Sequence, residues 1–232
     1  MAINLLSAAQ CKNAARRGQA KVAWVFQAVV LVIFSSQASA QLSLDLQPGG
    51  VVRYHGFEID GRNTTGEQIA AVSPSLIKQL EIVESVGVPT HVLDFFRSVP
   101  IVLEPGLRQP PAIYTTAGAK GTIHVLPTFL PVNKPILLHE FLHAYHYKIL
   151  GRDTNIVSGF ERAKNSNEYP AAFQTAHFLE NPGEYFAVLG TIYLFGVIKQ
   201  PPFECATVLR ADVPYVEFLE SIFGQHPCNP AP

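Results

Sequence analysis

Apolar residues surround almost every side of one predicted helix between positions 136 and 150. The hydrophobic and aromatic positions of this segment are 136–138, 141–142, 145 and 149–150. Such a pattern is typical of a helix that is buried rather than one that faces solvent on one side. Three prolines, Pro127, Pro131 and Pro135, precede the segment, and Gly151 is a signal for its end. We therefore predict a buried helix that stops at Gly151.

Shorter apolar patterns predict the remaining elements. Helices are predicted from the Ser73-Pro74 start signal to Gly87, over 156–166, from Asn181-Pro182 to about 195, and over 214–223. Strands are predicted at 51–59 and 101–103, with a hairpin formed by 112–116 and 122–126. Residues 91–96 are predicted as a short helix or strand. Together they predict an α+β fold, in which a small mixed β-sheet packs on a helical bundle that carries the 136–150 helix and a second, Glu-bearing helix.

The first forty residues have the organisation of a secretory signal peptide. Residues 1–44 contain no acidic residue but four basic ones, residues 22–34 are almost all apolar, and Ala38-Ser39-Ala40 is a small-residue cleavage signature. An uncleaved anchor is the alternative, but thirteen residues fall short of the roughly 20 that span a bilayer. We predict a signal peptide at 1–40 with cleavage after Ala40, one folded domain at 41–232, and a secreted or periplasmic location.

The net charge limits the classes of partner that the protein can bind, and the cysteine content indicates its cellular compartment. Removal of the leader leaves 13 basic and 18 acidic residues, a net charge of −5 that argues against nucleic acid or an anionic membrane as a partner. The apolar run 188–198 is too short to cross a membrane, so we predict that it belongs to the core. Cys205 and Cys228 remain as an even pair in an oxidising compartment, and we predict that they form a disulfide.

The buried helix carries the motif H-E-x-x-H, formed by His139, Glu140 and His143. Residues four apart lie on the same face of a helix, so the two imidazoles can reach one ion. Zn²⁺ binds neutral imidazole readily, and the glutamate can act as general base toward water that the metal activates. The alternative is a helix whose polar face carries these residues by chance. That alternative is weakened because burying two imidazoles and a carboxylate without a metal or partners costs several kcal/mol.

A third metal ligand must come from elsewhere in the chain. A metzincin would have a glycine and a third histidine at the positions of His146 and Ile149, and a di-iron protein would repeat the E-x-x-H motif, so both classes are excluded. Glu184 is the best candidate because it lies among apolar residues on a separate predicted helix. Asp153 is the second candidate, although its sequence context favours an exposed turn.

The two motifs together resemble the gluzincin peptidases. The H-E-x-x-H helix is followed some forty residues later by Asn181-Pro182-Gly183-Glu184-Tyr185-Phe186-Ala187. This arrangement, over roughly residues 120–196, is similar to the catalytic domain of anthrax-lethal-factor-type enzymes and to the glucose-regulated metallopeptidase family. The resemblance implies Zn²⁺ held by His139, His143 and Glu184, with Glu140 as general base. It also implies that the strand near 122–126 lines the substrate cleft.

Two positions depart from that family pattern. His177 stands where lethal-factor-type enzymes have a tyrosine that donates to the oxyanion, and a protonated histidine can donate in its place. Tyr169 is a substitute donor. Val188 replaces a glutamate that orients a ligand histidine, so that partner must be another acid, with Glu161, Glu168 and Asp153 as possibilities. For His146 we expect a surface position, with a substrate contact as the alternative.

The sequence therefore predicts a secreted zinc-dependent peptidase that hydrolyses peptide bonds, with a zincin-like metallopeptidase domain at 41–232. The predicted metal ligands are His139, His143 and Glu184. The predicted catalytic residues are Glu140 and His177. A peptide or protein substrate is the expected partner, with no nucleic acid and no stable membrane insertion after signal cleavage. Two alternatives stay open: a non-catalytic zinc-binding secreted protein that uses the same ligands, and an amidase that acts on cell-wall peptides.

Overall fold

Five short strands form a mixed sheet in the computed structural model, which describes residues 44–45, 47–108, 110–224 and 228. The strands are β1 (Val51–Tyr54), β2 (Phe57–Asp60), β3 (Ile101–Leu103), β4 (Ala112–Thr115) and β5 (Thr122–Val125), in the spatial order β1-β2-β3-β5-β4. The pairs β1–β2 and β4–β5 are antiparallel, whereas β3 is parallel to both of its neighbours. The predicted signal peptide at 1–40 lies outside the described residues.

Helices make up the rest of the fold and confirm the α+β prediction. They are α1 (Gly66–Ser85), α2 (Thr90–Ser98), α3 (Ile136–Tyr145), α4 (Thr154–Asn165), α5 (Pro182–Phe195), α6 (Cys205–Ala211) and α7 (Val213–Phe223). A π-helical turn, His146–Leu150, extends α3 to Gly151, and short 3₁₀ turns occur at Ala171–Phe173 and His177–Leu179. The predicted hairpin is β4–β5, the undecided segment 91–96 lies in α2, and α6 had no predicted counterpart.

Two predicted boundaries were wrong for local reasons. The single strand expected at 51–59 is a hairpin, since His55 and Gly56 both have positive φ angles and turn the chain back on itself. The helix expected to start at Ser73-Pro74 begins at Gly66, with Pro74 inside it. Thr65 forms a capping box with Gln68 there, and this reciprocal pair of hydrogen bonds satisfies two backbone donors at the earlier position.

The start of α3 is held by a side chain from α1. Pro135, the N-cap residue of α3, offers no side-chain cap. Gln79 is completely buried, and its Oε1 accepts from the Leu137 amide at 3.2 Å while its Nε2 donates to the carbonyls of Pro131 and Lys134, both at 2.9 Å. One amide side chain therefore satisfies polar backbone groups that the helix end leaves open, and it fixes α3 on α1.

A glycine allows α3 and α5 to pack closely. A Cβ at Gly190 would lie 3.1 Å from Leu142 Cδ1, so even an alanine would require the Leu142 side chain to shift. The apolar run 188–198 contributes fully buried residues such as Val188, Leu189 and Ile192, which confirms that it belongs to the core. This contact brings the N-terminal turn of α5 beside the polar face of α3.

A disulfide joins Cys205 at the start of α6 to Cys228, with a Cα–Cα distance of 4.9 Å, as predicted. It holds Cys228 beside α5, since both sulfurs also approach the carbonyl of Ile192. Within the described part of the chain, every helix is too short or too polar to cross a lipid bilayer.

Candidate metal centre and catalytic groups

The two histidines of α3 point to a common location. Their side chains are one helical turn apart, and the Nε2 atoms of His139 and His143 lie 3.0 Å from each other. The ring planes are perpendicular, and the side chains are only 16% and 10% exposed. Two ring nitrogens therefore meet in a largely desolvated place, as the i, i+4 spacing of the motif predicts.

Glu184 reaches the same point from the first turn of α5. Asn181 caps this helix by accepting a hydrogen bond from the Glu184 amide at 3.0 Å, and Pro182 occupies the first turn. The cap fixes the backbone of Glu184, and its Oε2 then lies 3.3 Å from Nε2 of both His139 and His143. The positive end of the helix dipole favours a carboxylate at this position.

The mutual distances of these three donor atoms fit a metal ion. Ligand bonds of about 2.0–2.1 Å in a tetrahedral zinc site place neighbouring donor atoms about 3.3 Å apart. The observed separations are 3.0, 3.3 and 3.3 Å. Oε2 of Glu184 is buried, yet none of its imidazole contacts has hydrogen-bond geometry. An orphaned carboxylate oxygen faced by imidazole nitrogens is the donor set that a divalent cation would complete.

A third histidine lies at the open side of this group. His177 begins the 3₁₀ turn His177–Leu179, and its Nε2 lies 2.9 Å from Glu184 Oε2 while its Nδ1 lies 3.1 Å from Glu180 Oε1. His139, His177 and Glu184 by themselves present three ligand atoms within 4.8 Å of one another. The shorter distances of His143 place it in the same group, so four side chains converge here.

The pKa shifts of two candidate ligands favour the protonation states that bind a metal ion. Burial raises the pKa of the Glu184 carboxyl, but the contacts with His139 and His143 outweigh burial and bring the pKa well below its ordinary value. Burial lowers the pKa of His139, and His143 adds to this, whereas Glu184 opposes it. An ionised carboxylate and a neutral imidazole are the protonation states that coordinate Zn²⁺.

Glu140 lies beside the ligands and is held by the sheet. Its carboxylate is buried, and Oε2 accepts a hydrogen bond of 2.8 Å from the backbone amide of Tyr114 in β4. Burial raises the pKa of Glu140 to about 8; the Tyr114 amide opposes the rise and the nearby charge of Glu184 adds to it. A carboxylate whose pKa lies near neutral pH can both take and return a proton, as a general base requires.

A cavity of about 580 Å³ opens next to these groups. It is lined by β4 residues such as Ala112 and Ile113 and by His139, Glu140 and Glu184. The expectation that the strand near 122–126 lines the cleft is wrong, because β5 lies between β3 and β4 and its own edges are paired. The edge strand β4 takes this place, with Ile113 exposed beside the cavity.

Several residues considered from sequence lie elsewhere. Tyr169 is 2% exposed and packs on Phe178, away from the cavity, so it is not a substitute oxyanion donor. Asp153 caps α4 by accepting from the Asn155 amide, and it does not line the cavity. Glu161 and Glu168 are exposed on and after α4.

Among the described residues, no acidic side chain orients the candidate ligand His143 through its Nδ1. Nδ1 of His143 is buried and has no hydrogen-bond partner among the residues that the structure describes. Val188 is fully buried and offers no acceptor. The expectation that His146 lies at the surface is wrong: it is 7% exposed and packs on Phe186, because α5 covers this side of the end of α3.

Two groups at the candidate site, the side chain of Tyr147 and the backbone amide of Tyr114, were not predicted from the sequence. Tyr147 lines the cavity, and its ring centroid lies 6.3 Å from that of His143 and 6.2 Å from that of Tyr114. Its position four residues after His143 was a signal that could have placed it on the same face. The Tyr114 contribution is a backbone amide, and side-chain identity gives no indication of it.

Comparisons with known proteins add the following findings. No protein-family model matches the chain, and no curated protein does. Among solved structures, the PRO-PRO endopeptidase PPEP-2 from Paenibacillus alvei matches with a TM-score of 0.41 and 17% sequence identity, over 71% of this chain and 96% of that chain. A structural similarity with so low a TM-score and sequence identity does not assign an activity to this chain.

Proposed function

We propose that this protein is a zinc-dependent peptidase, secreted or periplasmic, in which His139, His143 and Glu184 hold the metal. The observation that carries the proposal is the set of donor separations, 3.0, 3.3 and 3.3 Å, around a buried carboxylate oxygen without a hydrogen bond. A purely structural polar cluster would instead direct N–H donors at that oxygen. The Cys205–Cys228 disulfide supports an oxidising compartment.

Glu140 is the general base. When bound, Zn²⁺ would lower the pKa of water and polarise the substrate carbonyl. Glu140 takes the proton from the attacking water and returns it to the leaving amine, and the Tyr114 amide keeps its carboxylate oriented while it does so. The buried position of Glu140 excludes bulk water, which strengthens its interactions with charge that develops beside it.

His177 is the oxyanion donor. It is 43% exposed at the open side of the ligand group, so a substrate carbonyl can approach it from the cavity. Its Nδ1 faces Glu180 Oε1 at 3.1 Å, and an N–H at its Nε2 can donate to the developing oxyanion. A peptide in extended conformation would lie along the edge of β4, next to Ile113.

Metal content and one variant test the proposal. The purified mature protein should bind about one zinc ion per chain, and Glu140→Gln should keep the zinc and the fold yet lose peptide hydrolysis. Glu161→Gln, an exposed position on α4, is the matched control and should keep both. A Glu140→Gln protein with full activity on a peptide library would overturn the mechanism.

A closed, non-catalytic metal site is the second candidate function. The 2.9 Å separation of His177 Nε2 and Glu184 Oε2 favours it, because the same distance suits two ligands of one ion. X-ray absorption on the zinc protein separates the two candidates. Three imidazoles and one carboxylate without a water ligand support the closed site, whereas two imidazoles, one carboxylate and a light oxygen ligand support the peptidase.

A further inference from the structure

The cavity beside the metal centre has apolar walls and a positively charged rim. Pro111, Pro135, Ile136 and Ile198 supply hydrocarbon surface, and the volume of about 580 Å³ is in the range that holds a small ligand or two side chains of a peptide. Apart from the histidines, the cationic side chains that line it are those of two lysines, Lys134 and Lys199. These lysines come from different parts of the chain.

The acidic side chains in the described lining are Glu140 and Glu184, and both have roles at the metal centre. Lys134 and Lys199 make no ion pair with any residue for which the structure gives a position, whereas Lys78 on α1 pairs with Glu81 at 2.7 Å. A divalent cation would add further positive charge at the base of the cavity. The unmatched charge of the site is therefore positive, which favours an anionic group on the ligand.

The backbones that carry the two lysines are fixed. The carbonyl of Lys134 accepts from buried Gln79, and its amide donates to Pro131. Lys199 lies in the turn that follows Val197, where Val197 bridges to Glu204 and the Ile198 amide donates to the Phe203 carbonyl at 2.7 Å. Both side chains are exposed at the cavity and free to turn toward a bound group.

We propose that Lys134 and Lys199 make the site selective for peptides that carry a carboxylate next to the apolar residue that fills the cavity. This inference rests on the proposed peptidase function and names its substrate class. The carboxylate can belong to an acidic side chain or to the peptide C-terminus, because both present the same anion to a lysine. Each exposed ion pair changes an affinity by roughly two- to fivefold, so the two lysines together should give about a tenfold preference.

Matched peptides test this selectivity in binding and in turnover. One set of peptides has both termini blocked and contains Leu-Glu, Leu-Gln or Leu-Lys, so its members differ only in the residue after leucine. A second pair ends in leucine with either a free or an amidated C-terminus, which tests the terminal carboxylate. Dissociation constants are measured on zinc-loaded Glu140→Gln, and kcat/KM on the wild type. We expect the peptide with Glu or with a free C-terminus to have an affinity and a kcat/KM about tenfold higher than its neutral counterpart. This preference should be smaller in 0.5 M salt, which screens the charges.

Charge-removing variants complete the test. Lys134→Met with Lys199→Met should abolish the preference, while Lys78→Met, which removes an equal charge outside the cavity, should keep it. Equal affinity for the Glu and Gln peptides, no measurable binding of either, or a preference that survives the double variant would overturn the inference. If the preference is present in binding but the wild type cleaves no peptide, the peptidase proposal fails while the selectivity stands.

Discussion

The backbone amide of Tyr114 donates a hydrogen bond of 2.8 Å to the carboxylate of Glu140. Tyr114 belongs to the edge strand β4 and Glu140 to α3, so the sheet and the helix that carries the candidate metal ligands are joined at the proposed general base. β4 has β5 on one side only, and its other edge faces the cavity. An unpaired strand edge thus orients a buried carboxylate, and in the proposed function the same edge would receive an extended peptide.

Removal of Glu184 should remove the metal. We expect Glu184→Gln to lose zinc after dialysis, because a neutral amide replaces the ionised ligand. Zinc at a thousand times its Kd should stabilise the wild type by about 4 kcal/mol and the variant hardly at all. Thermal unfolding with and without zinc measures the difference, and Glu161→Gln should behave like wild type. Equal zinc stabilisation of Glu184→Gln would contradict the assigned ligand set.

Glu140 should make the metal-free protein less stable as the pH rises. Its folded-state pKa of about 8 lies above the ordinary value of 4.5, so between these values the folded state holds a proton that the unfolded chain has released. The stability therefore falls across this window, and the penalty is complete above pH 8. Glu140→Gln removes the penalty.

Urea unfolding in the presence of a chelator checks this sign. At pH 8.5 the metal-free Glu140→Gln protein should exceed wild type by on the order of 3 kcal/mol, and at pH 4.5 the two should be nearly equal. The exposed Glu161→Gln variant should show no such pH-dependent gain. A Glu140→Gln advantage that is the same at both pH values would argue against ionisation as its cause.

His177 should affect turnover more than metal binding. We expect His177→Phe to keep its zinc and to lower kcat by roughly 10²–10³-fold with little change in KM, because one oxyanion donor is lost. His177→Tyr should retain more activity than His177→Phe, since a phenol can donate a hydrogen bond to the oxyanion. Zinc loss from His177→Phe would instead identify His177 as a fourth ligand.

Asp212 should be important for stability although it lies outside the metal centre. Its side chain is 1% exposed, and it accepts from Arg162 at 2.8 Å, from the Tyr185 hydroxyl at 2.9 Å and from the Tyr215 amide at 3.2 Å. Asp212→Ala leaves these donors without an acceptor and should cost about 3 kcal/mol of unfolding free energy. Chemical denaturation measures this loss of unfolding free energy. The control is Asp94→Ala, at an exposed ion pair, which should cost under about 0.5 kcal/mol.

The same cluster links stability to the site. Tyr185 follows Glu184 in α5, and its hydrogen bond to Asp212 holds this turn of the helix against α4 and α7. Tyr185→Phe keeps the ring and loses only the hydrogen bond. We expect a destabilisation of about 1 kcal/mol together with weaker zinc affinity. Unchanged zinc affinity would indicate that Asn181 alone is sufficient to position Glu184.

Local patterns in the sequence were sufficient for the helices and the hairpin of the site. The apolar surroundings of His139 and His143 predicted a buried helix, and Asn181-Pro182 predicted the start of α5, because capping and burial depend on residues close in sequence. Pro74 misled the prediction of α1, since the Thr65 capping box and burial of Ile69 and Val72 outweighed it. Strand order had no local signal, so β5 was given the place that β4 occupies.

By itself, the sequence determined which residues have metal-binding chemistry and that His139 and His143 share a helix face, because a helical repeat fixes that relation within four residues. Only the tertiary structure decided that Glu184 comes within 3.3 Å of both imidazoles, that His177 joins them, and that the Tyr114 amide reaches Glu140. These contacts depend on the packing of α5 and β4 against α3, which involves residues far apart in the chain. The burial of His146 was decided in the same way, since Phe186 of α5 packs on its ring.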